Sequence, residues 1–164
     1  MMMAYGSGSG VQQDSNKAFY FALKCAENED STCMYNVMMC YNEGRGIEKS
    51  SDKTVVWAIR VGKLENPEDI RKSGYITYAR LLLAYMYRDG INVEQNNFKS
   101  YQWFMIFNEF KKDLSFLEQE QIVKGIQNLM ENLTAFEIEN GQQEAEKIIG
   151  RPLRNLENFH KAEM

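Results

Sequence analysis

The 164-residue sequence predicts an all-α superhelix, a solenoid of helix-turn-helix repeats closed by a C-terminal capping helical hairpin. Three observations support this prediction. One pattern of tyrosine, glycine and lysine occurs three times in the sequence. Capping residues precede the second helix of each copy, and apolar residues recur at helical spacing. A single helix pair cannot bury both of its apolar faces, so successive pairs must stack.

The repeated pattern keeps its residue types at fixed offsets. Its copies begin at Tyr5, Tyr41 and Tyr87, so the first interval is 36 residues and the second is 46. The longer interval predicts an insertion of about ten residues around 64–75. The three copies read Tyr5, Gly8, Gly10, Val11, Asp14, Lys17, Ala18 and Phe21; Tyr41, Gly44, Gly46, Ile47, Ser50, Lys53, Thr54 and Trp57; and Tyr87, Gly90, Asn92, Val93, Asn96, Lys99, Ser100 and Trp103.

Three positions in each copy are predicted to shape the turn. The first suits the left-handed residue that closes a helix, and the second suits a further positive-φ residue, for which asparagine is the best substitute for glycine. The third carries a side chain that accepts a hydrogen bond from the first turn of the next helix, as an N-cap does. These structural residues are Gly8, Gly10, Asp14, Gly44, Gly46, Ser50, Gly90, Asn92 and Asn96.

Both helices of a pair are predicted to be amphipathic. The second helices are expected at 15–28, 51–64 and 97–111. Each carries a small residue that permits close helix approach, followed by a large aromatic residue. The first helices place residues four apart on one face. These faces are Cys33, Val37 and Tyr41 in the second copy, and Ala79, Leu83 and Tyr87 in the third.

After the repeats, the signals change. Ser115 with Glu118, and Thr134 with Glu137, match the S/T-x-x-E capping box and predict two capping helices within 113–150. Residues 151–164 form a charged tail, expected to be partly disordered or loosely docked. The predicted division is therefore 1–112 for the repeats, with copies near 1–30, 31–64 and 75–112, then 113–150 for the cap and 151–164 for the tail.

These repeats resemble the Sel-1-like repeat (SLR) family, which is related to the tetratricopeptide repeats. The resemblance covers about residues 1–110 and is most complete over 5–26. The sequence departs from the family pattern at Met38, where glycine is usual, and at Val61 and Gly62, where alanines are usual. These departures affect local packing distances and leave the fold prediction unchanged.

The N-terminal copy lacks most of its first helix, so we expect a truncated array. An apolar face near Met1, Met2, Phe19 and Phe21 is then predicted to self-associate, or to pack on an upstream repeat. No export signal is present in the sequence, and a cytoplasmic and a periplasmic location both stay open.

The first expectation for the three cysteines is free, buried thiols, because their number is odd and their density modest. A bridge between Cys25 and Cys33 across two neighbouring helices is the alternative. Some SLR proteins carry disulfides between cysteines about eight residues apart. Cys25 and Cys33 have a similar spacing but sit one position earlier in the repeat, so the resemblance favours the bridge only slightly.

Several kinds of chemistry are disfavoured. A net charge of −4 argues against nucleic acid, and no apolar run is long enough for membrane insertion. The one histidine, His160, lies in the tail as a predicted surface residue. The sequence therefore does not supply the residues for His-based triads or multi-His metal sites. The glycine run at 6–10 lacks the strand and the ending of a phosphate loop. We therefore expect no catalytic residues, metal or cofactor.

The candidate binding residues lie on the first helices, opposite their apolar faces. First helices line the concave side of stacked repeats, and tyrosine and methionine are common in contact surfaces. The alternative is that a following helix buries half of these positions. The candidates are Tyr35, Asn36, Met39, Asn42, Leu81, Leu82, Tyr85, Arg88 and Asp89.

The leading functional hypothesis is a non-enzymatic scaffold or adaptor of bacterial type that binds a protein or peptide on its concave face. This hypothesis rests on the repeat architecture and on the absence of a recognisable set of catalytic residues in the sequence. An immunity or inhibitor protein that neutralises a bacterial toxin is one alternative. A purely structural fragment of a longer solenoid is another.

Overall fold

The computed structural model describes residues 1–114 and 119–156, and all regular secondary structure in those ranges is helical. The all-α fold class is confirmed. The capping box at Ser115 and Glu118, as well as His160, lies outside the described residues. The helices are α1 (Met2–Ser7), α2 (Ser15–Ala26), α3 (Ser31–Glu43), α4 (Ser51–Gly62), α5 (Ile70–Asp89), α6 (Asn97–Glu109), α7 (Gln119–Met130) and α8 (Ala135–Ile149), with a 3₁₀ helix at Lys111–Leu114.

The chain forms two compact units, Met1–Val61 and Gly62–Met164. The first unit packs α1, α2 and α3 together, and the second packs α5, α6, α7 and α8. The division predicted from the sequence follows the repeat pattern and not compactness, and it stays a prediction.

The three copies share one main-chain geometry. In each, the carbonyl oxygen of the repeat tyrosine accepts a hydrogen bond from the N–H of the capping residue nine positions later. The lysine three residues after the cap lies over the same tyrosine ring, at 5.4, 5.1 and 5.3 Å in chain order. The donor and acceptor residues, with N···O distances, are Asp14 and Tyr5 (3.0 Å), Ser50 and Tyr41 (3.0 Å), and Asn96 and Tyr87 (2.8 Å).

The predicted turn and cap residues have the same geometry in all three copies. Gly8, Gly44 and Gly90 close their helices in the left-handed conformation, and the second turn position also has positive φ in every copy. Asparagine tolerates that conformation better than other residues with a side chain. The second-position φ values are 75° at Gly10, 70° at Gly46 and 62° at Asn92. Asp14, Ser50 and Asn96 each accept a hydrogen bond from the amide three residues later.

The predicted insertion between copies two and three divides into a longer helix and a longer loop. Helix α5 has 20 residues, against 13 in α3. The loop before it covers 63–69, whereas the equivalent loop before α3 covers only 27–30. The second helices end two residues earlier than predicted in each copy, within the usual uncertainty of helix ends.

The C-terminal helices pack on the last repeat, as predicted. Gly141 of α8 lies so close to α6 that a Cβ there would be 2.7 Å from Cδ1 of Tyr101. Gln142 donates to the hydroxyl of the same tyrosine at 3.2 Å. The capping box of Thr134 and Glu137 is present at the start of α8, and Gly150 ends the helix.

A disulfide joins Cys25 of α2 to Cys33 of α3, with Cα atoms 5.6 Å apart. The first expectation, three free thiols, is therefore wrong, and the alternative bridge is correct. Only Cys40 is free among the cysteines, and it is half-buried. Burial raises the pKa of the Cys40 thiol, which keeps it protonated at neutral pH.

Reducing this disulfide should lower the free energy of unfolding by about 2–3 kcal/mol, because a short loop in the unfolded chain is released. Urea denaturation with and without dithiothreitol measures the loss. Cys40→Ser is the matched control and should leave the reductant effect intact. An unchanged midpoint, while titratable thiols rise from one to three, would contradict the prediction.

Candidate functional site

The four candidate residues on α3 are all half-buried, and the opposite face, with Val37 and Met38, is fully buried. Asn36, one of the four, lines a cavity within its own unit. That cavity measures about 160 Å³. Cys40, which has a free thiol, and Arg45 also line it. The Asn36 carboxamide donates to the Thr32 carbonyl at 2.7 Å, so one of its donors is already used inside the helix.

The structure corrects the prediction for Leu81. This side chain is 4% exposed and packs in the core of its unit, so it offers a partner no surface. Helix α5 is buried on more than one side, because α6 and the 3₁₀ helix both pack against it. Leu82, Tyr85 and Arg88 are half-buried, and Asp89 is exposed.

Tyr85, Arg88 and Asp89 form one connected group at the end of α5. The Arg88 guanidinium donates two hydrogen bonds to the Asp89 carboxylate, at 2.7 and 2.8 Å, and lies 4.6 Å from the centre of the Tyr85 ring. These bonds from Arg88 lower the pKa of Asp89, whereas burial raises the pKa of Tyr85. At neutral pH the pair is charged and the phenol is neutral.

This group borders an open polar cleft of about 500 Å³, named here the amide cleft. Its walls come from the end of α5, the turn and start of α6, and α7. Carboxamides dominate the lining, and Gly125 and Leu129 provide its apolar part. The lining residues are Arg88, Asp89, Gln95, Asn97, Gly125, Asn128, Leu129 and Asn132.

The carboxamides of the cleft differ in how far they are already used. Gln95 donates to the Arg88 carbonyl and Asn132 to the Asn128 carbonyl, both at 2.8 Å. Within the described chain, the side-chain amides of Asn97 and Asn128 have no hydrogen-bond partner. These two amides are therefore available to a ligand.

Of the residues that line the cleft, Arg88 and Asp89 were among the candidates predicted from the sequence, whereas those of the α6 and α7 walls were not. The missed signal was the four-residue spacing of Asn128 and Asn132, which places both on one face of α7. Gly125 lies one turn before Asn128 on α7 and leaves room for the Arg88 side chain, because a Cβ at this position would be 3.3 Å from Nη1 of Arg88.

An apolar cleft of about 480 Å³ lies beside the disulfide in the first unit, lined by Met1, Met3 and Phe21 among others. Met1 and Met3 are 70% and 77% exposed. The expectation that Phe19 belongs to this exposed face is wrong, because Phe19 is buried with its ring edge against Tyr41. Self-association through this surface stays a prediction.

Three metal-ligating groups, Cys25, Asp30 and Cys33, have donor atoms within 4.8 Å of one another. Both sulfurs are used in the disulfide, and Asp30 caps α3 by accepting from the Cys33 amide at 3.0 Å. The group is therefore structural. No described helix is long and apolar enough to cross a membrane.

Comparison with known proteins gives one family. The model of the Sel1 repeat matches residues 1–30, 31–60 and 77–104, together more than half of the chain. No curated protein matches.

Two similar solved structures are a protective antigen of uropathogenic Escherichia coli strains displaying an SLR fold and a Sel1 repeat protein from Oxalobacter formigenes. Both are 15% identical, with TM-scores of 0.48 and 0.35. The aligned region covers 93% of this chain and 37% of the antigen, and 89% of this chain and 69% of the Oxalobacter protein.

Proposed function

Because the chain belongs to the Sel1 repeat family, whose members are generally non-catalytic protein-binding scaffolds, we propose that it binds an extended segment of a partner protein in the amide cleft. The observation that carries this proposal is the pair of unpartnered carboxamides, Asn97 and Asn128, on two walls of that cleft.

A carboxamide matches the chemistry of a peptide main chain. It offers two donors and an acceptor, whereas each peptide unit presents one donor and one acceptor. Asn97 and Asn128 can therefore bind an extended backbone without regard to most of its side chains. The cleft is also open enough for a chain to pass through, at about 500 Å³.

The charges of the cleft favour a neutral main chain over an anion. Arg88 and Asp89 are paired to each other, so the arginine is compensated before any ligand arrives. The chain as a whole carries a net charge of −4, which also opposes binding to nucleic acid phosphates.

The candidate residues of α3 support a second contact surface in the first unit. Tyr35, Asn36, Met39 and Asn42 each keep part of their surface exposed, and tyrosine and methionine are common in interfaces. We place this surface second, because Asn36 and Tyr35 already have intramolecular interactions.

The double substitution Asn97→Ala with Asn128→Ala should weaken peptide binding about 10-fold or more, since two hydrogen bonds to the ligand main chain are lost at about 1 kcal/mol each. The probe is a 12-residue peptide selected from a random display library against the unsubstituted protein, and its Kd is measured by fluorescence anisotropy.

Asn16→Ala is the matched control, because Asn16 is an exposed helical asparagine in the other unit. Its Kd should equal that of the unsubstituted protein. The proposal fails if every selected peptide binds the double variant with unchanged affinity.

A further inference from the structure

The end of α6 holds a buried carboxylate whose ligands all come from one short segment. The Glu109 side chain is only 1% exposed. One carboxylate oxygen accepts from Nη1 of Arg151 at 2.7 Å, and the other accepts from the main-chain N–H groups of Arg154 and Asn155, at 2.9 and 2.8 Å. Residues 151–156, named here the arm, follow α8 and return to α6.

The other contacts of the arm involve both its main chain and its side chains. Asn108 donates to the Asn155 carbonyl at 3.0 Å, and the Asn155 carboxamide donates to the Glu109 carbonyl at 3.1 Å. Glu146 of α8 accepts from the Leu153 amide at 2.9 Å. The Arg151 guanidinium lies 5.4 Å from the centre of the Phe110 ring.

The contacts of the arm depend on two of its side chains and on the conformation of its main chain. Arg151 and Asn155 are the arm residues whose side chains bind the site, whereas Pro152 and Arg154 are exposed. The site is therefore filled by an arginine side chain and, four residues later, an asparagine side chain, together with main-chain amides of the non-helical segment that joins them. Each of these groups is one that a peptide segment can supply.

The hydrogen bonds and the exposure of the arm describe how it is held. Its contacts to α6 and α8 are mainly polar, and Leu156 keeps 40% of its surface exposed. Gly150 joins the arm to α8 in the left-handed conformation, with open space around it. A buried carboxylate cannot be left without donors at low cost, so a segment that displaces the arm must supply an arginine and the same main-chain donors.

We propose that the end of α6, around Glu109 and Asn108, is a second protein-binding site for an extended Arg-x-x-x-Asn segment of a partner, occupied in cis by the arm. The arm then acts as an intramolecular competitor, at an effective concentration of about 1 mM for so short a connection. This site shares no residue with the amide cleft, so the two proposals stand or fall separately.

The test uses a labelled, end-blocked peptide with the sequence of residues 150–156, Gly-Arg-Pro-Leu-Arg-Asn-Leu. The receptor is the full chain carrying Arg151→Ala and Asn155→Ala, which weakens the arm and leaves Glu109 and Asn108 intact. We expect this receptor to bind the peptide at least 10-fold more tightly than the unsubstituted chain does. A peptide with alanine in place of its first arginine should lose that binding, as should the receptor with Glu109→Gln added.

A second measurement needs no substitution and covers the case of a misfolded variant. In the unsubstituted chain, excess peptide should accelerate hydrogen exchange at the Asn155 amide, because the arm leaves its site. The proposal is overturned if the folded receptor binds the two peptides equally. It is also overturned if exchange at Asn155 is unchanged at peptide concentrations well above 1 mM.

Discussion

Gly46→Ala should destabilise the protein by about 2–5 kcal/mol, the sum of a left-handed backbone strain of about 1–2 kcal/mol and an overpacking cost of about 1–3 kcal/mol. Gly46 has a φ of 70°, and a Cβ there would lie 2.0 Å from the carbonyl oxygen of Ser15 and 2.4 Å from its carbon. Because these atoms belong to the main chain at the start of α2, no side-chain rotation relieves the clash.

Gly10→Ala separates the two contributions. Gly10 occupies the same repeat position with a φ of 75°, but no atom lies within 4 Å of the added Cβ. It should therefore cost only the backbone strain, about 1–2 kcal/mol. Urea denaturation monitored by circular dichroism measures both, and equal losses for the two variants would show that α2 moves away at little cost.

Arg80→Met should cost about 3–5 kcal/mol, comparable to removing one partner from a buried ion pair. Arg80 is 1% exposed, and its guanidinium donates to the Gly62 and Leu64 carbonyls at 2.8 Å each, and to the carboxamide oxygen of Asn66 at 2.6 Å. Methionine keeps much of the volume but supplies none of these donors, so buried polar acceptors lose their partner.

Arg60→Met is the control for Arg80→Met. Arg60 is exposed and lies 4.1 Å from the centre of the Trp57 ring, so its loss should cost at most about 1 kcal/mol. Arg80→Lys should fall between the two, since one ammonium cannot reach three separated acceptors. The account of Arg80 is wrong if Arg80→Met and Arg60→Met shift the denaturation midpoint equally.

The features of the repeat that could be predicted from the sequence depend on interactions between residues close along the chain. A capping side chain bonds an amide three residues away, and a positive-φ turn depends on the residue that adopts it. For this reason Asp14, Ser50 and Asn96 were predicted as caps, and Asn92 as the equivalent of a glycine, before any packing was known. The insertion before Tyr87 was also visible, because it changes only the spacing between copies.

The candidate binding residues were predicted less well. A helical stripe shows which residues share a face, but it does not show how many neighbours pack on that face. Leu81 and Phe19 were expected at exposed surfaces and are buried, because adjoining helices cover them. Arg88 and Asp89, two of the candidate binding residues, line the amide cleft, whereas Asn97 and Asn128 on its other walls were not among the candidates.

The sequence by itself determined the helices, their turns and caps, and the register of the three copies, since each of these depends on bonds between residues close along the chain. Only the tertiary structure decided which surfaces are left open. The amide cleft joins Arg88 to Asn128, and Glu109 meets Arg151 and Asn155, across 40 or more residues. Such pairs meet because whole helices pack together, and no short-range spacing encodes that contact.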